Sequence, residues 1–137
     1  MSWRTFEHQA DVGLEIDAPD GPSLFAEAGL AFFATICELE QVVERTAYEL
    51  AGEASSIEEL LVGWLNDLVF LFETQGAVCR RIGFPDWSRT GYRAELYGEP
   101  ADPARHGLHP LVKAATYHGL AIEEREGRWQ ARVILDV

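Results

Sequence analysis

Residues 55–76, SSIEELLVGWLNDLVFLFETQG, carry the clearest structural signal in the chain. Apolar side chains recur in this stretch every three or four residues, at Ile57, Leu60, Leu61, Trp64, Leu65, Leu68 and Phe72. That spacing predicts one long helix. Ser55 and Ser56 each precede a glutamate by three residues, as in a capping box, and Gly76 suits the helix end. Apolar residues 69–71 widen this apolar stripe until it covers most of the helix circumference. We therefore expect a central helix that is enclosed by the rest of the fold.

The rest of the chain predicts one further helix and a series of strands. A helix is expected to begin at Asp20 or Gly21, with Pro22 in its first turn, and to end near Cys37. Elsewhere apolar and polar residues alternate with the period of two that half-buried strands show. The predicted strands are residues 3–8, 12–17, 43–51, 78–84, 92–97, 117–124 and 129–137. A turn region is expected at residues 85–87, and Glu126-Gly127 predicts a hairpin turn.

This order of elements predicts an α+β fold, in which mainly antiparallel β-sheets pack around two helices. The strands are joined largely by short turns, and short turns favour antiparallel pairing. The 137 residues fit the usual size of one domain, so we expect residues 1–137 to form a single unit.

The charge of the chain limits the partners that it can bind. It has 23 acidic residues against 11 basic ones, which gives a net charge of −12. A field of this sign repels nucleic-acid phosphate. The densest basic stretch, residues 79–81 with Arg89 and Arg93 nearby, is thin. We therefore expect little direct binding of nucleic acid, whereas a basic protein partner would suit this surface.

Cysteine usage and hydropathy indicate a cytoplasmic protein. Cys37 and Cys79 are far apart in apolar surroundings, which predicts free buried thiols in a reducing compartment. The first residues contain no apolar signal core. The longest apolar run, residues 60–72, is interrupted by Asn66 and Asp67 and is too short to cross a bilayer.

The common catalytic motifs are missing from the sequence. It contains no G-x-S-x-G, no glycine-rich phosphate loop and no H-E-x-x-H. His106 and His109 have H-x-x-H spacing, but they lie in a polar stretch, residues 103–110, without a cysteine or third histidine nearby. A solvated loop is therefore favoured there over a zinc pair. His118 lies in an apolar strand and is interpreted as structural. We expect a protein that is not itself a catalyst.

Two acidic segments lie at predicted strand ends. Glu7 and His8 end the first strand, and Asp11 begins the turn into the next strand. Asp136 immediately precedes Val137, the last residue. The Val137 main-chain carboxylate can turn toward the Asp136 side chain. If Asp11 joins them, three anionic oxygen groups meet, and a cation such as Ca²⁺ or Mg²⁺ would relieve their repulsion. Independently solvated charges are the alternative.

Several segments, in this order, resemble the archease family along nearly the whole chain. Residues 6–13, FEHQADVG, are similar to the family's opening EHTADIG, and residues 112–118, VKAATYH, to its VKAVTYH. The other matching segments are WLNDL at 64–68, LFETQG at 71–76, YGEP at 97–100, PARH at 103–106 and LDV at 135–137.

The resemblance implies an accessory protein for the GTP-dependent ligase that joins tRNA halves in tRNA splicing and seals broken strands in RNA repair. Such a protein promotes guanylylation and repeated turnover of the ligase without joining RNA itself. It also implies a Ca²⁺ site whose ligands are Asp11, Asp136 and the Val137 carboxylate. Gln9 stands where the family usually has threonine, which puts one hydrogen bond near this site in doubt.

The resemblance further implies a surface for the ligase. Lys113 falls in a motif associated with function, and Glu7, His8 and Glu73 are weaker candidates for the same surface. Two alternatives remain open at this point: a hydrolase that uses the carboxylates with Mg²⁺, and a chaperone-like modulator of RNA-modifying enzymes.

Overall fold

The computed structural model describes residues 1–8, 11–109 and 112–137, and for residues 7 and 8 it describes the main chain alone. The helices are α1 (Gly21–Ile36), α2 (Ile57–Gln75) and the single turn α3 (Pro103–His106). The strands are β1 (Ser2–His8), β2 (Asp11–Ala18), β3 (Thr46–Glu53), β4 (Ala77–Ser88), β5 (Gly91–Pro100), β6 (Ala114–Arg125) and β7 (Arg128–Asp136). A 3₁₀ turn spans Leu39–Gln41.

The strands form two antiparallel sheets. One has the order β1-β2-β7-β6 and the other the order β3-β5-β4. Helix α1 contacts strands of both sheets, and α2 packs mainly on β6 and against α1. The predicted α+β fold with antiparallel sheets around two helices is confirmed.

Both long helices begin and end as their sequences predict. The Asp20 side chain accepts a hydrogen bond from the Ser23 N–H at 2.8 Å and caps α1. The Ser56 hydroxyl accepts from the Glu59 N–H at 3.2 Å, while the Glu59 carboxylate accepts from the Ser55 hydroxyl at 2.6 Å. Helix α2 ends at Gly76, whose φ of 63° is the left-handed conformation that glycine adopts readily.

Trp64 of α2 lies at the centre of the core. It is fully buried, and its indole N–H donates to the Phe25 main-chain oxygen of α1 at 2.8 Å. Its ring lies 5.1 Å from those of Phe84 and Tyr92, in edge-to-face contacts. The enclosed central helix is thus confirmed except at Phe70, which was expected to widen the buried stripe but is 64% exposed.

Four strand predictions were wrong by three residues or more at one boundary, including β5, which continues to Pro100 instead of ending at residue 97. β3 begins at Thr46 and not at residue 43, because the Val43 N–H donates to the Glu99 side chain instead of a neighbouring strand. β4 continues through the turn expected at 85–87, because a register shift between Gly83 and Asp86 accommodates Pro85. β6 begins at residue 114, three residues earlier than predicted. The Glu126-Gly127 hairpin turn is confirmed, with φ values of 52° and 75°.

The histidine at position 106 was expected in a solvated loop, and that prediction was wrong. Residues 103–106 form α3, and His106 is fully buried. Cys37 and Cys79 are free, buried thiols as predicted, and burial raises their pKa values to about 11 and about 12. In the described part of the chain, no helix is long and apolar enough to cross a membrane.

Candidate functional site

One end of the four-stranded sheet brings together the acidic segments singled out in the sequence. β1 ends at His8 and β2 begins at Asp11, and these two residues pair across the strands. β7 ends at Asp136, which pairs with Ala114 at the start of β6. The last pair between β2 and β7 is Val12 with Leu135. Asp11 and Asp136 each lie one residue beyond that pair, so they occupy facing positions on adjacent strands.

The two aspartates lie on the same side of the sheet. Leu14 on β2 and Val133 on β7 are fully buried against the helices. Because side chains alternate between the faces of a strand, Asp11 and Asp136 lie on the opposite, outer face. Facing residues on antiparallel strands have Cβ atoms about 5 Å apart. Asp136 is exposed and Asp11 is half-buried, so both carboxylates are accessible to a ligand.

The main chain around the last residue is held by β6. The Lys113 N–H donates a hydrogen bond to the Asp136 carbonyl oxygen at 2.7 Å. This contact fixes the peptide that joins Asp136 to Val137. The main chain of Val137 therefore follows directly from an anchored peptide.

Asn66 of α2 holds the start of β6 at the same end of the sheet. The sequence analysis did not predict this role. Its side-chain oxygen accepts from the Ala115 N–H at 2.8 Å, and its side-chain nitrogen donates to the Ala115 carbonyl at 3.4 Å. β6 is an edge strand, so these main-chain groups have no further strand to pair with. The amide of Asn66 supplies both a donor and an acceptor. A polar residue inside an apolar helical stripe is the sequence signal that could have identified it.

The structure places the other predicted residues at different distances from this end. Lys113 is exposed and immediately precedes β6. Glu73 is exposed on α2, seven residues after Asn66, which is about 10 Å along the helix axis. The main chain of Glu7 and His8 ends β1 at this edge, but their side chains lie outside the described residues. Gln9 also lies outside them.

The chemistry of these groups fits a hard divalent cation. The two aspartate carboxylates supply oxygen donors, which favour Ca²⁺ or Mg²⁺ over Zn²⁺. Among the described residues, no group of three or more His, Cys, Asp and Glu side chains is placed to hold a metal. Asp11 and Asp136 contribute two such side chains, so further ligands would come from water or from a partner.

A second polar cluster, which the sequence did not predict, surrounds the fully buried Glu99 of β5. Its carboxylate lies 2.5 Å from Arg105 and 2.9 Å from Arg45, and it accepts from the Val43 N–H at 2.8 Å. The His106 Nε2 lies 2.9 Å away. Because the His106 Nδ1 accepts from a main-chain N–H at 2.8 Å, a neutral ring carries its proton on Nε2 and donates it to Glu99.

This cluster keeps Glu99 ionised. Burial raises the pKa of the carboxyl, but hydrogen bonds from Arg105, the Val43 N–H and His106 outweigh burial and lower the pKa to about 2. The cluster joins β5 and α3 to the loop before β3. The YGEP and PARH segments at 97–100 and 103–106 thus meet in a buried ionic contact that supports the fold.

Comparison with known proteins identifies the family. The Archease protein family matches residues 3–137. The archease of Methanopyrus kandleri is 34% identical over 140 residues, covering 100% of both chains. The solution structure of Methanobacterium thermoautotrophicum protein 1598 has a TM-score of 0.74 at 26% identity and covers 98% of both chains. The crystal structure of an archease from Thermotoga maritima has the same fold, with a TM-score of 0.66 at 19% identity over 98% of this chain and 96% of that one. This chain therefore belongs to the archease family.

Proposed function

We propose that this protein is a non-catalytic accessory factor of the GTP-dependent RNA ligase, and that it promotes guanylylation and repeated turnover of that ligase in tRNA splicing or RNA repair. The observation that supports this best is that Asp11 and Asp136 occupy facing positions on adjacent strands at one end of a sheet. The archease membership of the chain supports the choice of partner.

Asp11, Asp136 and the Val137 carboxylate are the proposed ligands of a Ca²⁺ or Mg²⁺ ion. The ion, when bound, would neutralise these carboxylates and leave coordination positions for oxygen groups of the ligase or its nucleotide. The Lys113 side chain is exposed immediately before β6, and its ammonium can pair with an anionic group of the same partner. Asn66 and the Lys113 N–H keep the strand ends in place while the partner binds.

A multiple-turnover RNA ligation assay tests the proposed function. Ligation by the cognate ligase with GTP and a divalent cation would be compared without addition, with the unmodified chain and with Asp136→Asn. Asp86→Asn is a matched control, because Asp86 is an exposed aspartate of the other sheet. We expect stimulation by the unmodified chain and by Asp86→Asn, and its loss with Asp136→Asn.

Two other results would contradict the proposal. Turnover of a small substrate by this protein alone would favour the Mg²⁺-dependent hydrolase. Equal activity on several unrelated RNA-modifying enzymes would favour the chaperone-like modulator.

A direct titration tests the ligand set. Two residues appended after Val137 convert its carboxylate into an amide, whereas the same extension before Met1 leaves that carboxylate free. We expect the extension after Val137, but not the one before Met1, to weaken Ca²⁺ binding in calorimetry by roughly tenfold or more, since one anionic ligand is lost. Equal affinities for the two extended proteins would contradict the assignment of Val137.

A further inference from the structure

The outer face of the four-stranded sheet, on the side away from the helices, carries more than the two aspartates. Its residues form four rows across the strands, because the register brings outward-facing residues opposite one another. Neighbouring rows are two residues apart along a strand, which is about 7 Å. From the aspartate end to the other end, the rows are Asp11–Asp136–Ala114, Phe6–Gly13–Ile134–Thr116, Arg4–Glu15–Arg132–Ala121 and Ser2–Asp17–Gln130–Glu123.

An aromatic ring of the second row supports an arginine of the third. Gly13 faces Phe6 across the strands, and a Cβ at Gly13 would lie 2.0 Å from the Phe6 ring, so the ring occupies the space of the missing side chain. The Arg132 guanidinium lies 4.0 Å from the centre of that ring, in a cation–π contact. This contact places the guanidinium nearer to the aspartates than its own row, which is about 14 Å from them along the strands.

The charge of Arg132 is only partly balanced. Its closest carboxylate is that of Glu15, at 3.5 Å, and the same carboxylate already lies 2.5 Å from Arg4. The other ion pairs of the face are Arg128 with Asp17 at 2.6 Å and Arg125 with Glu123 at 3.7 Å. Among the described residues beyond the aspartate row, four arginines therefore stand against three acids. This face has an excess of one positive charge on a chain whose net charge is −12.

A cavity of about 410 Å³ opens on the same face, at the third and fourth rows. A volume of this size lies in the range of small-molecule sites. The polar and small side chains of the face that line it include Arg4, Glu15, Ala121, Gln130 and Arg132. The aspartate row, the stacked arginine and the cavity thus follow one another along a single face of the sheet.

We propose that this face binds a nucleoside triphosphate with its divalent cation, that Arg132 contacts the phosphates, and that the cavity holds the nucleoside. The inference rests on the cation site of the proposed function. Mg²⁺ is usually held by one or two carboxylates together with the phosphates of a nucleotide, and not by a complete cage of protein ligands. Asp11 and Asp136 are two such carboxylates, and in the described part of the chain no group of three ligand side chains is placed to hold a metal. Phosphate oxygens would complete the coordination.

The chemistry of Arg132 and the charge of the chain select this class of ligand. A guanidinium presents several N–H donors in one plane, which suits phosphate oxygens, and stacking on a ring holds that plane in place. The Arg132 side chain is 47% exposed, so a ligand can reach it. An RNA strand would bring a series of phosphates to an acidic protein, whereas a nucleoside triphosphate brings its own cation. The cavity lies on the far side of Arg132 from the aspartates, where the nucleoside of such a ligand would extend.

Calorimetry with GTP and Mg²⁺ tests the site. Arg132→Gln removes the phosphate contact, and Asp136→Asn removes a cation ligand. Arg81→Gln is the matched control, because the Arg81 guanidinium lies 3.9 Å from the centre of the Tyr97 ring and is paired with a glutamate, but on the other sheet. We expect Arg81→Gln to bind GTP within about twofold of the unmodified chain, and the other two variants to bind it about tenfold or more weakly.

Two further titrations separate the parts of the site. Arg132→Gln should bind Ca²⁺ alone as tightly as the unmodified chain, which also shows that this variant is folded. Inorganic triphosphate with Mg²⁺ should bind the unmodified chain about tenfold or more weakly than GTP does, because it has no nucleoside to fill the cavity.

Several outcomes would overturn the inference. They are the absence of GTP binding to the unmodified chain, equal GTP affinity of Arg132→Gln and the unmodified chain, equal affinity for GTP and inorganic triphosphate, and tighter binding of a 3′-phosphorylated oligonucleotide than of GTP. None of them contradicts the proposed function, which the ligation assay tests separately. Conversely, a chain that binds GTP through Arg132 but does not stimulate the ligase would contradict the proposed function and leave this site in place.

Discussion

The buried carboxylate of Glu99 offers the sharpest test of the forces that hold this fold together. Glutamine at position 99 has nearly the same shape but no charge. Its amide oxygen can still accept from Arg105, His106 and the Val43 N–H. Its NH₂ group, however, replaces the second carboxylate oxygen, which lies 2.9 Å from the Arg45 guanidinium in the unmodified chain. Glu99→Gln therefore preserves packing while it weakens every contact that depends on the negative charge.

The expected cost follows from two independent considerations. A pKa of about 2 instead of 4.5 corresponds to roughly 3 kcal/mol of preferential stabilisation of the carboxylate in the folded state. Removing one member of a buried ion pair costs about 3–5 kcal/mol. The arginine side chains are 62% and 38% exposed and can return to water, which places the cost at the lower end of that range. We expect Glu99→Gln to lose about 3 kcal/mol, or roughly 10 °C in melting temperature.

Urea unfolding between pH 8 and pH 2.5 measures this loss, with Glu44→Gln as the control. Glu44 lies 2.5 Å from Arg81 in a solvent-exposed pair, and such pairs contribute less than about 1 kcal/mol. Because the folded-state pKa of Glu99 is lowered, its stabilisation is complete above about pH 4.5 and disappears as the pH falls toward 2. The difference between the unmodified chain and Glu99→Gln should shrink over that interval. A cost below 1 kcal/mol at pH 7, or a constant difference down to pH 2.5, would refute this reasoning.

Three further predictions concern packing and buried acids. Gly98→Ala should lower the free energy of unfolding in urea by about 3 kcal/mol, because the added Cβ would lie 1.9 Å from a main-chain oxygen of β4. Gly63→Ala should instead raise it by about 0.5–1 kcal/mol, because the added Cβ on α2 meets nothing within 4 Å. Burial raises the pKa of Asp67, and the hydrogen bond from the Tyr92 hydroxyl lowers it. Tyr92→Phe removes that hydrogen bond, so NMR titration should show the pKa of Asp67 rising further. Burial raises the pKa of Glu27, while the charge of the amino terminus lowers it. Glu27→Gln should therefore be more stable than the unmodified chain at pH 7, with the gap closing as Glu27 becomes protonated at lower pH.

The two long helices were predictable because their signals are local. The Asp20 and Ser56 caps and the apolar spacing act within a few residues of each other, and the structure confirms them. Strand boundaries depend on remote contacts instead. β3 starts late because Val43 donates to Glu99, 56 residues away in the sequence. No pattern around Val43 indicates that contact.

The candidate site was predictable to the same extent: features set by neighbouring residues could be predicted, and contacts between residues far apart in the sequence could not. Asp11 and Asp136 could be singled out because each lies at a predicted strand end, but their facing positions require the β2–β7 register. Asn66 was interpreted only as an interruption of an apolar run, because its partner Ala115 is 49 residues away. Glu99 lies in the YGEP segment, which was singled out for its resemblance to the archease family. The spacing of residues in the sequence could not show that its carboxylate is buried against Arg105.

The end of the four-stranded sheet is better explained by binding than by stability. Asp11 and Asp136 occupy facing positions on adjacent strands, where like charges repel each other. A divalent cation, if bound there as proposed above, would relieve this repulsion, so cation binding should stabilise the folded protein.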